Sequence, residues 1–193
     1  METSKFAILS VFNKTKIIEL AQFLKSKGYT ILSTGGTFRA LTDAGIDVVE
    51  VSAHTGFPEI LDGRVKTLHP RIHGGILARD IPEHVETLKA HGIPMIDVVA
   101  VNLYPFEETL AKPGMSQNDI IEMIDIGGPT MLRASAKNFE RISVLCDSGD
   151  YEEFMSRTQS GTCDLEFRRK LAAKVFARTS EYDSAITNWL KIL

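Results

Sequence analysis

The chain has 193 residues, 44% of them hydrophobic and 24% charged, with 22 Lys and Arg against 25 Asp and Glu for a net charge of −3. This composition excludes disorder, collagen-like repeats and small disulfide scaffolds, and it lacks the basic excess of a general nucleic-acid binder. A chain of this length buries about 70% of its extended surface on folding, enough for one full core. Cys146 and Cys163 stand far apart with no C-x-x-C, so neither a zinc nor a redox motif is signalled and a reducing, cytoplasmic setting is expected. The first sixteen residues carry no apolar run with a small-residue cleavage site, and no 18-residue apolar stretch follows. No membrane association is expected.

Short apolar, β-branched runs at 6–11, 29–32, 48–51, 98–101 and 142–146 read as strands buried on both faces. Between the first two, Ile17, Ile18, Leu20, Ala21 and Leu24 form a helical stripe over 14–27, with Asn13 placed to cap it and Gly28 placed to end it. Helices are predicted over 38–44, 82–90, 116–124 and 129–138, the last with Pro129 in its first position. Residues 52–80 form a long turn-rich stretch with enough apolar content to suggest a functional loop. Residues 164–193 read as helical: a closing layer, an oligomer surface or a link to a further domain. Strand–helix alternation predicts a three-layer α/β sandwich on a mainly parallel, five-stranded sheet, with right-handed crossovers and a helical C-terminal segment.

Ser33-Thr34-Gly35-Gly36-Thr37 follows a strand and opens a helix. Glycines admit close backbone approach, hydroxyls donate and a helix N-terminus favours an anion, so the segment suits a phosphomonoester, with Lys14 arriving from the neighbouring strand end. An ordinary tight turn fits the same five residues. No Walker A or G-x-G-x-x-G pattern is present. Arg64, Lys66, His69, Arg71 and His73 fall within ten residues free of acids, a cationic patch or a solvated loop. His69 and His73 straddle Pro70, which disfavours a helical zinc pair and favours structural histidines. Asn102-Leu103-Tyr104-Pro105 sits at a strand's carboxyl end, where ligands bind in open parallel sheets; strand termination and Tyr packing explain it equally. Asp125-Ile126-Gly127-Gly128-Pro129-Thr130 enters a helix whose first amides could hold an oxyanion, and Asp125 also reads as a simple helix-approach carboxylate.

Together, Lys14, S-T-G-G-T, G-R-V-K-T-L-H-P at 63–70, V-N-L-Y-P at 101–105, I-D-I-G-G-P-T at 124–130 and S-A-K-N at 135–138 resemble the IMP cyclohydrolase domain of the bifunctional AICAR transformylase/IMP cyclohydrolase family. The resemblance covers nearly the whole chain and implies a methylglyoxal synthase-like fold. A single cyclohydrolase-like domain over 1–193 is expected, without the family's larger C-terminal transformylase domain. Two departures stand out. Phe12-Asn13 replaces the family's Ser-Asp, which leaves the Phe12 backbone N–H as that position's one ligand donor, and Phe139 stands where a His often follows K-N.

The resemblance implies dehydrative closure of 5-formamidoimidazole-4-carboxamide ribotide (FAICAR) to inosine monophosphate (IMP), with no cofactor, no metal and a purine ribonucleotide as the small-molecule partner. It also implies a homodimer. Carried over by position, Lys14, Thr34, Gly35, Gly36 and Thr37 would hold the ribotide phosphate. Arg64, Lys66 and Thr67 would line the base with Asn102 beside it, Ser10, Phe12, Asn13, Val65 and Val101 would also touch the substrate, and the Ile126 and Gly127 amides would form the oxyanion site. Lys66, Tyr104, Asp125 and Lys137 would carry the chemistry. A straight helix sets Lys137 about 12 Å beyond Pro129, so reaching Asp125 requires the chain to turn back. Two other readings of this fold are an effector-binding regulatory module, which has no need of that chemical set, and a phosphate-eliminating lyase, which the R-V-K-T block does not resemble.

Overall fold

The computed structural model describes residues 5–104, 106, 110 and 113–193; Pro105 of the V-N-L-Y-P motif lies outside them. In chain order the elements are β1 (Lys5–Val11), α1 (Ile17–Ser26), β2 (Tyr29–Ser33), α2 (Gly35–Asp43), β3 (Val49–Glu50), α3 (Val51–Thr55), α4 (Pro70–Leu77) and α5 (Pro82–Ala90). There follow β4 (Ile96–Asn102), α6 (Gln117–Glu122), α7 (Gly127–Lys137), β5 (Ser143–Leu145), a 3₁₀ turn (Ser148–Asp150), α8 (Tyr151–Ser160) and α9 (Leu165–Leu190).

All five strands pair in parallel in the order β3-β2-β1-β4-β5, so the expected α/β sheet is parallel throughout. The central strands have no polar face: Ala7, Ile8, Leu9, Val98, Val99 and Ala100 are all buried. That demands cover on both sides. The chain first winds outward from β1 to β3, then returns across the sheet to β4 and β5. Right-handed crossovers therefore put α1 and α2 on one face and α4 and α7 on the other. α1 packs on β1 and β2, α4 and α7 pack on β4 and on each other, and α9 lies against α7 and β5.

Several boundaries differ from the sequence reading for local reasons. The first helix starts only at Ile17, because Lys16 adopts a left-handed conformation with φ 57°. Asn13 does not cap that helix; its Oδ1 accepts from the Thr15 N–H and hydroxyl at 2.9 and 2.6 Å and makes a tight turn instead. The edge strand expected over 48–51 shrinks to two residues since Val51 opens α3. Pro129 is the third residue of α7, not the first. The stretch 52–80 holds α3 and α4. In α4 Gly75 interrupts any apolar helical pattern, yet it is required, because a Cβ there would lie 2.5 Å from the Pro94 carbonyl oxygen. α9 is one 26-residue helix, started by Asp164, whose side chain accepts from the Phe167 N–H at 2.9 Å.

A second, smaller apolar cluster stands beside the main core. Phe106, Tyr182 and Trp189 form it, with Leu103, Ile120, Ile124 and Ile186 packed around them. It fastens the C-terminal half of α9 to the segment between β4 and α7. Among the described residues no helix is long and apolar enough to cross a membrane.

Candidate active site

In a parallel sheet every strand delivers its carboxyl end to one edge, and register decides which residues meet there. Val11 pairs with Asn102 and Leu9 with Ser33, so the segments following β1, β2 and β4 converge. A cleft of about 800 Å³ opens at this edge, within the range of small-ligand pockets. Its walls include Ser10, Val11, Phe12, Lys14, Thr34, Gly35, Gly36 and Thr37 at one end, and Lys66, Thr67, Tyr104, Asp125, Ile126 and Gly127 at the other. Arg64, Val101 and Asn102 line it as well. Asn13, Val65 and Lys137 do not.

At the first end, the Lys14 ammonium donates to the carbonyls of Val11 and Phe12, the latter at 3.1 Å, and lies 3.9 Å from where a Cβ on Gly36 would be. Burial holds its pKa below the usual lysine value. The amides that open α2 face the same space, so a fixed cation and a helix N-terminus converge on one spot. The Ser10 and Thr34 hydroxyls lie 2.8 Å apart beside it. Thr37 is spent elsewhere. Its buried hydroxyl donates to the Val11 carbonyl at 2.9 Å and accepts from the Val11 N–H at 3.0 Å, so it locks β1 to α2 and has no hydroxyl donor left for a ligand.

Asn102 is likewise engaged. Its Oδ1 accepts from the N–H groups of Phe12 and Asn13 at 2.6 and 3.0 Å, and its Nδ2 donates to the Asn13 carbonyl at 3.0 Å. The Phe12 amide, the donor expected at that position, is therefore consumed by Asn102, and among the described residues one Asn102 N–H has no partner. The Phe12 ring instead leans on Tyr104, centroids 4.8 Å apart and tilted by 48°, giving the cleft an aromatic rim. Phe139, the other departure, packs against the main core and lies outside the cleft.

The second end is built on a hairpin and a helix entry. Ile60 and Val65 pair antiparallel around a turn in which Leu61 and Asp62 both adopt left-handed backbone, φ 54° and 53°. Non-glycine residues there cost about 1–2 kcal/mol each. The hairpin places Arg64 against Glu122 of α6 in a two-pronged pair at 2.5 and 3.1 Å, and Lys66 against Glu59 at 3.2 Å. Thr67 is buried; its hydroxyl would sit 2.6 Å from a Cβ on Gly127.

Asp125 caps α7 from outside: its Oδ1 accepts from the Gly128 N–H at 3.0 Å. A Cβ on Gly128 would collide with Oδ2, which is why a glycine stands at 128; at 127 it is the Thr67 hydroxyl that leaves no room. Burial raises the Asp125 pKa above the ordinary carboxylate value, while the amides of Gly128 and Gly127 and the charge of Lys66 pull it back. The Gly128 amide is thus turned onto Asp125, so an anion at this helix entry has a competing acceptor in the protein itself. The structure joins Lys66, Asp125 and Tyr104 around one space. It does not bring Lys137 there, because α7 runs unbroken and leaves Lys137 exposed at its far end.

His69 caps α4, its Nδ1 accepting from the Arg71 N–H at 3.1 Å. His73 is less satisfied than a structural histidine should be, since its buried Nε2 finds no partner among the described residues. Burial lowers the pKa of His73 and of His54. No group of three or more His, Cys, Asp or Glu suited to a metal occurs among the described residues. Glu59, Glu122 and Tyr182, whose hydroxyl meets the Asp125 backbone, were not singled out from sequence. Of these only Tyr182 left a trace there, a stripe of Thr179, Tyr182, Ile186 and Trp189 at helical spacing.

Sheet order and cleft together define a parallel α/β domain with a cationic pocket end and a desolvated carboxyl at its carboxyl edge. The chain belongs to the MGS-like domain family, whose model matches residues 16–130, and residues 135–192 match the AICARFT/IMPCHase bienzyme family. Among curated proteins it is 57% identical over 187 residues to the bifunctional purine biosynthesis protein PurH of Oceanobacillus iheyensis, covering 96% of this chain and 37% of that protein. It is 55% identical over 185 residues to the protein of the same name from Desulfitobacterium hafniense, covering 95% and 36%. The chain thus spans little more than a third of these relatives. The crystal structure of ForH superposes with a TM-score of 0.84 at 37% identity, covering 95% of each chain.

Proposed function

We propose that the chain is an IMP cyclohydrolase, closing FAICAR to IMP with loss of water in purine biosynthesis. The observation that carries this reading is the pairing, in one cleft, of Lys66 and an Asp125 carboxylate held by the Gly128 amide with the Lys14 and α2 anion cradle at the other end. Similarity to PurH proteins over nearly the whole chain supports it.

Ring closure joins the carboxamide nitrogen to the formyl carbon. A proton leaves that nitrogen and the formyl oxygen becomes a hydroxyl; the hydroxyl then departs as water while the formamido N–H loses its proton. A carboxamide is a poor nucleophile, but both groups sit on adjacent ring atoms, so the entropic barrier is small and proton handling dominates. Asp125 is the residue for the proton. Desolvation makes it more basic than an exposed carboxylate, and it lies at the entry of a helix that fixes its direction. The Lys66 ammonium would balance charge growing on the formyl oxygen. Tyr104, packed against the Phe12 ring, would border the base, and the phosphate would sit between Lys14 and the Gly35 and Gly36 amides. Lys137 has no part in this set within a single chain. The reaction needs neither an electron nor a nucleotide energy source, so no cofactor enters.

A homodimer and a cytoplasmic setting belong to the same reading. Leu165 and Phe176, exposed on α9, support the first, and two free cysteines support the second.

The test is to incubate the purified chain with FAICAR and follow IMP formation by absorbance and chromatography. Saturable conversion well above the buffer rate is the expected result. Conversion no faster than in buffer, by folded protein, would overturn the assignment.

A further inference from the structure

Asp125 is held at two points, and the second involves a residue 57 positions away. Its carboxylate is fixed by the Gly128 amide. Its own backbone N–H donates to the Tyr182 hydroxyl at 2.8 Å, and that hydroxyl in turn donates to the Met123 carbonyl at 3.4 Å. Both partners of the phenol thus belong to the turn that leads into α7. Tyr182 is itself only 7% exposed, and a buried phenol must find partners or destabilise the fold. Among the described residues it finds them in the segment that aims the carboxylate.

The ring beneath that hydroxyl is equally fixed. Phe106 meets Tyr182 edge-on at 6.1 Å and Trp189 at 5.8 Å, and Leu103, Ile120 and Ile124 close the cluster. Residues on both sides of the cleft segment, Leu103 next to Tyr104 and Ile124 next to Asp125, are therefore packed on the same patch of α9. Apolar packing alone would hold the segment loosely about its long axis, because dispersion is not directional. A hydrogen-bonded pair on one hydroxyl fixes the rotation of the peptide at Asp125, and with it the direction of the side chain.

We propose that Tyr182 is a positioning residue for Asp125: its hydroxyl sets the turn that points the carboxylate into the cleft and keeps water from the buried peptide. This inference rests on the assignment of Asp125 as the proton carrier. The groups facing Asp125 are Lys66 from the 60–67 hairpin segment, the Gly127 and Gly128 amides of α7 and Tyr182 of α9; Tyr104 and Asp183 lie near the phenol. Loss of the hydroxyl leaves the ring packing in place, frees the Asp125 N–H and lets the turn rotate and hydrate. Two effects follow. The carboxylate loses alignment, which lowers kcat, and it gains solvent, which lowers its pKa toward the ordinary value.

The experiment compares wild type, Tyr182→Phe and Asp125→Asn for kcat, KM, the acid limb of the kcat–pH profile and thermal midpoint. Tyr182→Phe should fold, keep KM within about twofold, lose about 10–100-fold in kcat, and move its acid limb to lower pH. Wild-type kcat with an unmoved limb in Tyr182→Phe, alongside an inactive Asp125→Asn, overturns the positioning role and leaves Asp125 in place. A loss confined to KM, or one that tracks the thermal midpoint with the limb unmoved, overturns it as well. Full activity in Asp125→Asn overturns the assignment of Asp125, and the role of Tyr182 with it.

Discussion

Asp125→Asn should lower kcat by about 10²–10³ with little change in KM, the loss that follows from removing a group acting on protons or charge in the transition state. The same substitution should leave the fold intact, since an Asn Oδ1 can still accept from the Gly128 amide and fits the space beside it. The stability effect has a definite sign. Burial raises the folded-state pKa of Asp125 above its unfolded value, so the fold favours the protonated form. Wild type therefore loses stability as pH rises from the unfolded value through the folded one. Asparagine does not titrate. Its thermal midpoint should exceed that of wild type at neutral pH, with the gap closing toward about pH 4, where an unfolded aspartate is half protonated. A variant inactive at pH 7 yet no less stable than wild type is the expected pair of results. A midpoint several degrees lower at neutral pH would show that the carboxylate is a structural cap and not a desolvated proton carrier.

Lys66→Ala should reduce kcat by a similar factor, about 10²–10³, if the ammonium opposes charge that appears only as the ring closes. Little stability is at stake, because the Lys66–Glu59 pair is half-exposed and such pairs contribute about 0–1 kcal/mol. Lys66→Arg keeps the charge but replaces a compact ammonium by a planar fork, and should recover part of the rate. Steady-state kinetics with both variants at saturating FAICAR check this. A Lys66→Ala enzyme with wild-type kcat and a raised KM would reassign Lys66 to ground-state binding.

The sheet was readable because its central strands are apolar on both faces and alternate with amphipathic helical stretches, the combined pattern of a doubly covered parallel sheet. The elements that escaped are those whose local chemistry hides them. α8 is largely polar, with Tyr151 and Phe154 as its buried anchors, too few to make a stripe. α4 carries Gly74 and Gly75 in its interior, and Gly75 serves contact with the Pro94 carbonyl, not helix propensity.

Much the same division runs through the site. That Lys14, S-T-G-G-T and Asn102 would share one edge followed from the parallel strand–helix alternation, because each stands just past a strand end or at a helix entry; D-I-G-G read only as a helix entry and joined them through the family resemblance. Which polar groups remain for a ligand did not follow. Thr37, Asn102 and the Phe12 amide sit in the right place, yet they use their hydrogen bonds on one another's elements, and pairing across 26 or 90 positions leaves no mark in sequence. Lys137 shows the opposite case. The helical rise alone argued against it, and the unbroken α7 keeps it away from Asp125.

One end of the cleft is built to take a phosphate while the other does the chemistry. The most direct measurement is calorimetric binding of IMP and of inosine to wild type and to Lys14→Ala. Wild type should bind the monophosphate much more tightly than the nucleoside, and Lys14→Ala should lose most of that preference while its affinity for inosine stays the same. Equal affinity of wild type for inosine and IMP, or an undiminished preference in Lys14→Ala, would contradict it.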